Sequence, residues 1–169
     1  MTENDNLTGG LLTADDCAKC KLCCWFSNYE IWETPAIDDT LRDEIKKQYP
    51  ETGFISKDGY SLFVLVPKKD KPEYFDCPML TDCGCKLGDQ KPFECAVWPF
   101  RIMNMDGRYI ISVSALCKPM MKNSLEAMLR TLEGGLEERM KNFTRENPSM
   151  IKNYSDGYPI IKFTDISRS

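Results

Sequence analysis

Cys17-Ala-Lys-Cys20-Lys-Leu-Cys23-Cys24 gathers four thiols into eight residues, and the rest of the chain has to be read around it. Five more cysteines follow, at Cys77, Cys83, Cys85, Cys95 and Cys117, and the sequence contains no histidine. A thiolate is a soft ligand that selects zinc, copper(I) or iron–sulfur clusters over magnesium or calcium. Close spacing lets one short loop deliver several sulfurs to one ion at little ordering cost. The second group of cysteines must then come back to the first, so the expected domain closes on its cysteines.

A disulfide framework is the rival reading, and compartment decides between them. The start, Met1-Thr-Glu-Asn-Asp-Asn, has neither the basic nor the apolar region of a secretory signal. No apolar run approaches the ~18–20 residues that span a bilayer. A cytoplasmic chain is therefore expected, where thiols stay reduced and clustered cysteines more often bind metal or do catalysis. The odd count of nine also leaves one cysteine over in any full pairing scheme.

At 169 residues the chain can bury a core without staples. Its 42% hydrophobic and 28% charged content is that of an ordinary globule. A net charge of −4 argues against nucleic acid or an anionic membrane as partner. Lys19, Lys21, Lys86, Lys91, Arg101 and Lys118 stand close enough in sequence to offset clustered thiolates.

Residues 1–14 read as a mobile polar tail, and residues 15–169 as a single domain. An aromatic stretch, Trp25-Phe26 through Tyr29 and Trp32, follows the cysteine loop. Asp38-Asp39-Thr40 opens a helix with Leu41, Ile45 and Tyr49 on one face, closed by Pro50. Lys57-Asp58-Gly59 joins Phe54–Ser56 to Tyr60–Val66 as a hairpin, and Asp106-Gly107 joins Trp98–Met105 to Arg108–Ser114 as another. Over 123–143, Leu125, Met128, Leu129, Leu132, Leu136, Met140 and Phe143 form one apolar stripe of a long helix. Asn123 or Ser124 would cap it, and Gly134-Gly135 would bend it or pack closely. A last strand is expected over Tyr158–Phe163. The expected fold class is α+β, with two short β-hairpins and a long amphipathic helix around a cysteine-rich metal-binding core.

Small metal modules do not account for the spacing. Cys17-x2-Cys20-x2-Cys23 matches the first three ligands of a bacterial ferredoxin run, but Cys24 follows at once and the fourth ligand is missing. A zinc ribbon needs a second C-x2-C pair, where this chain has Cys83-Gly-Cys85. A larger ordered pattern does fit: C-x2-C-x2-C-C, then Cys77-Pro78-Met-Leu80, then Gly84-Cys85. Pro92-Phe-Glu-Cys95-Ala-Val-Trp-Pro99-Phe100 and the lone Cys117 complete it.

This pattern resembles the YkgJ-type cysteine-cluster family, described as a zinc- or iron-chelating domain. The resemblance spans residues 17–117 and implies a metal ligand set of Cys17, Cys20, Cys23, Cys24, Cys77, Cys85, Cys95 and Cys117. Cys83 is an addition to the pattern. Lys91-Pro92 stands where the family usually has Arg-Pro, which keeps the charge and loses the bidentate fork. Flagellin lysine N-methylases are similar over the cluster region and longer.

The ferredoxin-like opening and the absence of histidine favour an iron–sulfur cluster, of the 4Fe–4S kind, over zinc. Electron transfer with a protein partner, or support of a redox or modifying enzyme, is the leading expectation. A zinc-stabilised binding module is the alternative. An S-adenosylmethionine-dependent lysine methyltransferase is a third reading, although no glycine-rich loop between strand and helix stands out to hold that cofactor. Glu94, Asp82 and Asp89 are the carboxylates nearest the second cysteine region. Each has a plain surface role as its simpler reading. Trp25, Phe26, Trp98 and Phe100 flank sulfurs and would shield a cluster from water, although ordinary core packing predicts the same burial.

Overall fold

A computed structural model describes residues 7–27 and 34–167. In chain order it contains α1 (Ala14–Cys20), a 3₁₀ turn (Leu22–Cys24), β1 (Trp25–Phe26), α2 (Asp39–Gln48), β2 (Phe54–Lys57) and β3 (Tyr60–Phe63). Then come β4 (Val66–Pro67), β5 (Phe75–Asp76), β6 (Leu80–Thr81), β7 (Gly84–Cys85) and α3 (Phe93–Ala96). The chain finishes with β8 (Phe100–Met105), β9 (Arg108–Val113), α4 (Leu125–Thr131), α5 (Glu137–Glu146) and β10 (Ile160–Ser167). Helices and antiparallel sheets both contribute, as expected of an α+β chain. Among the described residues, no helix is long and apolar enough to cross a membrane.

Both Asp-Gly hairpins form. Asp106 and Gly107 take φ of +52° and +87°, the pair of positive values that a two-residue turn between twisted strands requires. In the first hairpin only Gly59 has positive φ, at +83°. Its second strand stops at Phe63, earlier than expected, because the chain turns away so that Val66–Pro67 can pair with β5 instead. The sheets β10-β9-β8 and β1-β5-β4 are three-stranded, and β6-β7 is a small extra hairpin that the sequence had not suggested. The last strand starts at Ile160, not Tyr158, because Pro159 has no N–H to donate to the ladder, although its carbonyl accepts from the N–H of Val113 at 3.0 Å.

Asp38 caps α2 by accepting from the N–H of Leu41 at 2.9 Å, and Ile45 is buried, with Leu41 and Tyr49 against the same cluster. The long helix is not continuous. Ser124 caps its start, but α4 stops at Thr131 and a wide π turn, Leu132–Leu136, separates it from α5. Gly135, at φ +119°, supplies the break. Met128, Leu132, Leu136 and Met140 nevertheless all point inward. Strict four-residue steps overshoot a 3.6-residue turn, and the wider π turn absorbs the drift. Leu125, expected on this stripe, is 58% exposed.

Two apolar clusters result. The first joins β8 and β9 to the α4–α5 stripe, with Phe100, Ile111 and Met120 at its centre. The second joins α2, β1, β3 and the loops around Met79 and Leu87. Residues 7–13, expected as part of the mobile tail, belong to the first: Leu12 is buried in it and Leu7 and Leu11 pack on it. Residues 1–6, Tyr29 and Trp32 lie outside the described residues.

Candidate metal centre

Thr13 starts α1 with a reciprocal cap: its Oγ1 accepts from the N–H of Asp16 at 3.1 Å, and its own N–H donates to Asp16 Oδ2 at 2.9 Å. Cys17 and Cys20, three residues apart, therefore sit on one helical face. Lys21 ends the helix in the left-handed region, at φ +54°, with its N–H donating to the Cys17 carbonyl at 2.9 Å. That reversal throws Cys23 and Cys24 back toward the second cysteine region. Strand β1 then pairs with β5, and the N–H of Cys77 donates to the Cys24 carbonyl at 2.9 Å.

The β6–β7 hairpin sets Cys85 opposite Leu80 and lies against α1, where a Cβ on Gly84 would stand 3.8 Å from that of Ala18. Cys95 sits on α3, and Cys117 is buried in the first apolar cluster just beyond β9. Cys77 packs on the second cluster, so the sulfurs touch both cores. All nine cysteines are free thiols.

The electrostatics join the two regions. Cys95 is raised well above its ordinary value by burial and then by the charges of Cys77, Cys23 and Cys85. Burial pushes Cys77 up to about 12, with Cys85 and Cys23 adding to it. Cys85 is raised by burial and also feels Cys23. Cys117 is raised by burial, then by Cys17, Cys20 and Cys23, and Cys17 by burial, then by Cys23. Cys23 itself is raised first by its hydrogen bond with Cys24 and then by burial.

Lys91 opposes these increases at Cys17, Cys23 and Cys85, so of the six basic residues singled out it acts on sulfurs in both regions. Lys21 borders the sulfurs too, while Lys86 lies over the Tyr49 ring and Arg101 over Trp98 and Tyr158. Backbone N–H groups also favour the thiolates: Met79 and Leu80 at Cys77, Leu87 and Gly88 at Cys85, and Met120 at Cys117. Amide donors aimed at sulfur are the outer support that thiolate–metal sites use. Thiols that repel one another as anions need a cation to deprotonate together. The donor set is thus chemically suited to a soft metal. As placed, no three cysteine, aspartate or glutamate side chains among the described residues enclose a position for an ion.

A surface cleft opens on one side of this group, lined by Cys17, Cys20, Cys23 and Cys117 with Asp16, Lys21, Leu22, Trp98 and Leu116. Trp98 is therefore the aromatic that faces sulfur, whereas Phe26 and Phe100 are core residues and Trp25 is 41% exposed under Lys68. Cys83 stands exposed at the tip of the β6–β7 turn, its N–H donating to Thr81 Oγ1 at 3.2 Å.

Glu94 is committed elsewhere. It bridges the buried Lys152 at 2.9 Å and accepts from the N–H of Ala36 at 2.8 Å, while Lys152 also donates to the Thr34 carbonyl at 3.1 Å. This lock holds the helix that carries Cys95. Sequence reading missed Lys152, because nothing near it in the chain marks a lysine for burial. Asp82 stays on the surface, 3.9 Å from Lys21.

Comparison with protein-family models, curated proteins and solved structures finds no match to this chain.

Proposed function

We propose that this chain is a metal-binding cysteine-cluster protein of YkgJ type, whose sulfurs hold a thiolate-ligated centre joining residues 17–24 to residues 77–117. The observation that carries the reading is geometric: Cys17, Cys20, Cys23 and Cys117 line one cleft, and the N–H of Cys77 donates to the Cys24 carbonyl at 2.9 Å, which brings the two cysteine regions together. The ligand pool is the eight cysteines of the motif, with Lys91 and the backbone amides balancing their charge. On this reading the centre ties the two apolar clusters together across a frame that backbone pairing already registers.

The C-x2-C-x2-C opening and the lack of histidine support an iron–sulfur cluster. Cys17 and Cys20 are exposed, as is the neighbouring Lys19, so a partner protein can approach this edge. Electron transfer, or support of a redox or modifying enzyme, is the role that such placement serves. Zinc is the second reading, favoured by one observation: Cys23 adjoins both groups of sulfurs, an arrangement suited to neighbouring divalent ions.

Protein purified without oxygen and assayed for iron, sulfide and zinc decides between them. Iron with sulfide, a broad sulfur-to-iron charge-transfer absorption and bleaching by dithionite support the cluster. Zinc without redox response moves the protein to a structural module. A chain that binds no metal under either regime overturns the reading.

A further inference from the structure

The cleft beside α1 belongs to a larger apolar surface. Leu22 and Leu116 line it at 36% and 63% exposure, and Met121 and Leu125 stand out from the segment that leads away from it, at 40% and 58%. Single exposed apolar residues are ordinary, but several large ones gathered around a concavity mark an interaction site. The segment is also held in place. Met120 is buried in the first apolar cluster, and the Asn123 side chain donates to the carbonyls of Pro119 and Leu11 at 3.3 Å. A surface fixed in advance loses little entropy when a partner binds.

Charge decides which partner fits. The chain as a whole carries −4, yet it has no acidic residue from Gly107 to Leu125. Lys118 and Lys122 are exposed within that stretch, and neither is in an ion pair among the described residues. Lys21 lines the cleft, and its ion pair, at 3.9 Å, is to the exposed Asp82. Asp16, the carboxylate that lines the cleft, already accepts from the Thr13 hydroxyl at 2.7 Å and the Thr13 N–H at 2.9 Å. The face therefore offers ammonium groups without partners beside uncovered leucines.

We propose that this face docks an acidic segment of a partner protein, seating an apolar side chain of that segment between Leu22, Leu116 and Trp98 and its carboxylates on Lys21, Lys118 and Lys122. A concavity suits one protruding side chain better than a flat bilayer, and the chain's net negative charge opposes an anionic membrane. The lysines at the rim steer and orient the encounter, while burial of the leucines supplies affinity. None of these six side chains is a proposed metal ligand, so the surface stands or falls apart from the thiolate-centre reading.

The test selects phage-displayed random peptides on the full wild-type chain, with reductant present, and measures the selected peptides by fluorescence anisotropy. Peptides that combine Asp and Glu with Leu, Ile or Phe are expected, and their binding should weaken as salt rises. Leu116→Ser should bind them at least about tenfold more weakly, as should the double variant Lys118→Glu with Lys122→Glu. No enrichment, enrichment of basic peptides, or equal affinity for wild type and both variants overturns the inference. Sedimentation of the chain with phosphatidylserine vesicles that Leu116→Ser abolishes overturns it too, in favour of a membrane surface. Where a variant fails to fold, amide shifts of the isotope-labelled wild-type chain on adding a selected peptide replace it. Shifts centred on Leu22 and residues 116–125 support the inference, and shifts centred elsewhere overturn it.

Discussion

The N–H of Cys77 donates to the carbonyl oxygen of Cys24 at 2.9 Å, across more than fifty residues of sequence. That bond continues the β1–β5 pairing by one step, so strand geometry and not sulfur chemistry sets the distance between the two cysteine regions. A metal placed among these sulfurs meets a frame already registered by backbone hydrogen bonds.

On the proposed thiolate-centre reading, metal binding should contribute heavily to stability, because Cys117 lies in one apolar cluster, Cys77 packs on the other, and ligation free energy becomes folding free energy. A loss of about 4 kcal/mol corresponds to roughly 8–16 °C in a chain of this size, at ~2–4 °C per kcal/mol. Anaerobic chelation followed by a thermal melt is expected to lower Tm by about that much. An unchanged Tm would make the cysteines peripheral to the fold.

Cysteine substitutions should divide sharply. Cys83→Ser changes an exposed turn tip and is expected to leave metal content intact and stability within about 0.5 kcal/mol. On the proposed reading, Cys95→Ser should lower the metal content. Equal metal loss in the two variants, measured by elemental analysis, would contradict the assignment.

The pH dependence of the metal-free protein follows from the raised thiols. Cys77 stands at about 12 in the folded chain against an ordinary 9.0, so the unfolded chain loses its proton first as pH rises. The folded state's advantage is complete below pH 9 and is lost progressively toward about 12. Urea melts of metal-free protein should show midpoints that fall over that window, with a smaller fall in Cys77→Ala. Metal affinity should move the other way and rise with pH, since ligation expels the same protons.

The Glu94–Lys152 pair gives a test outside the sulfurs. Lys152 is 3% exposed and Glu94 19%, so removing either partner strands a buried charge. Lys152→Met or Glu94→Gln alone should cost about 3–5 kcal/mol, and the double substitution distinctly less than the sum. Additive losses in denaturant melts would show that the two groups act independently.

The glycine pair should respond with opposite signs. Gly134 has helical geometry and open space around it, so Gly134→Ala is expected to stabilise by up to about 1 kcal/mol. Gly135 has φ +119°, which an L residue rarely adopts, so Gly135→Ala should destabilise by about 1–3 kcal/mol. Stabilisation by both in thermal melts would mean that the π turn is not required.

Local chemistry was legible in the chain. Asp38 and Ser124 advertise helix caps, Asp106-Gly107 advertises a tight turn, and the apolar steps at Met128, Leu132, Leu136 and Met140 advertise a buried face. These depend on residues within a turn or two of one another, which a sequence displays directly. Tertiary structure decided the rest. Leu12 enters the core although it lies in a stretch whose start is polar and glycine-rich, and Lys152 is buried only because Glu94 and the carbonyl of Thr34 meet it there. The Leu132–Leu136 turn widens because the stripe has to face one sheet. Cys23 acquires neighbours on two sides because the left-handed Lys21 and the β1–β5 pairing together fix where the loop returns. Such outcomes rest on partners brought from distant parts of the chain, and no spacing within a single segment encodes them.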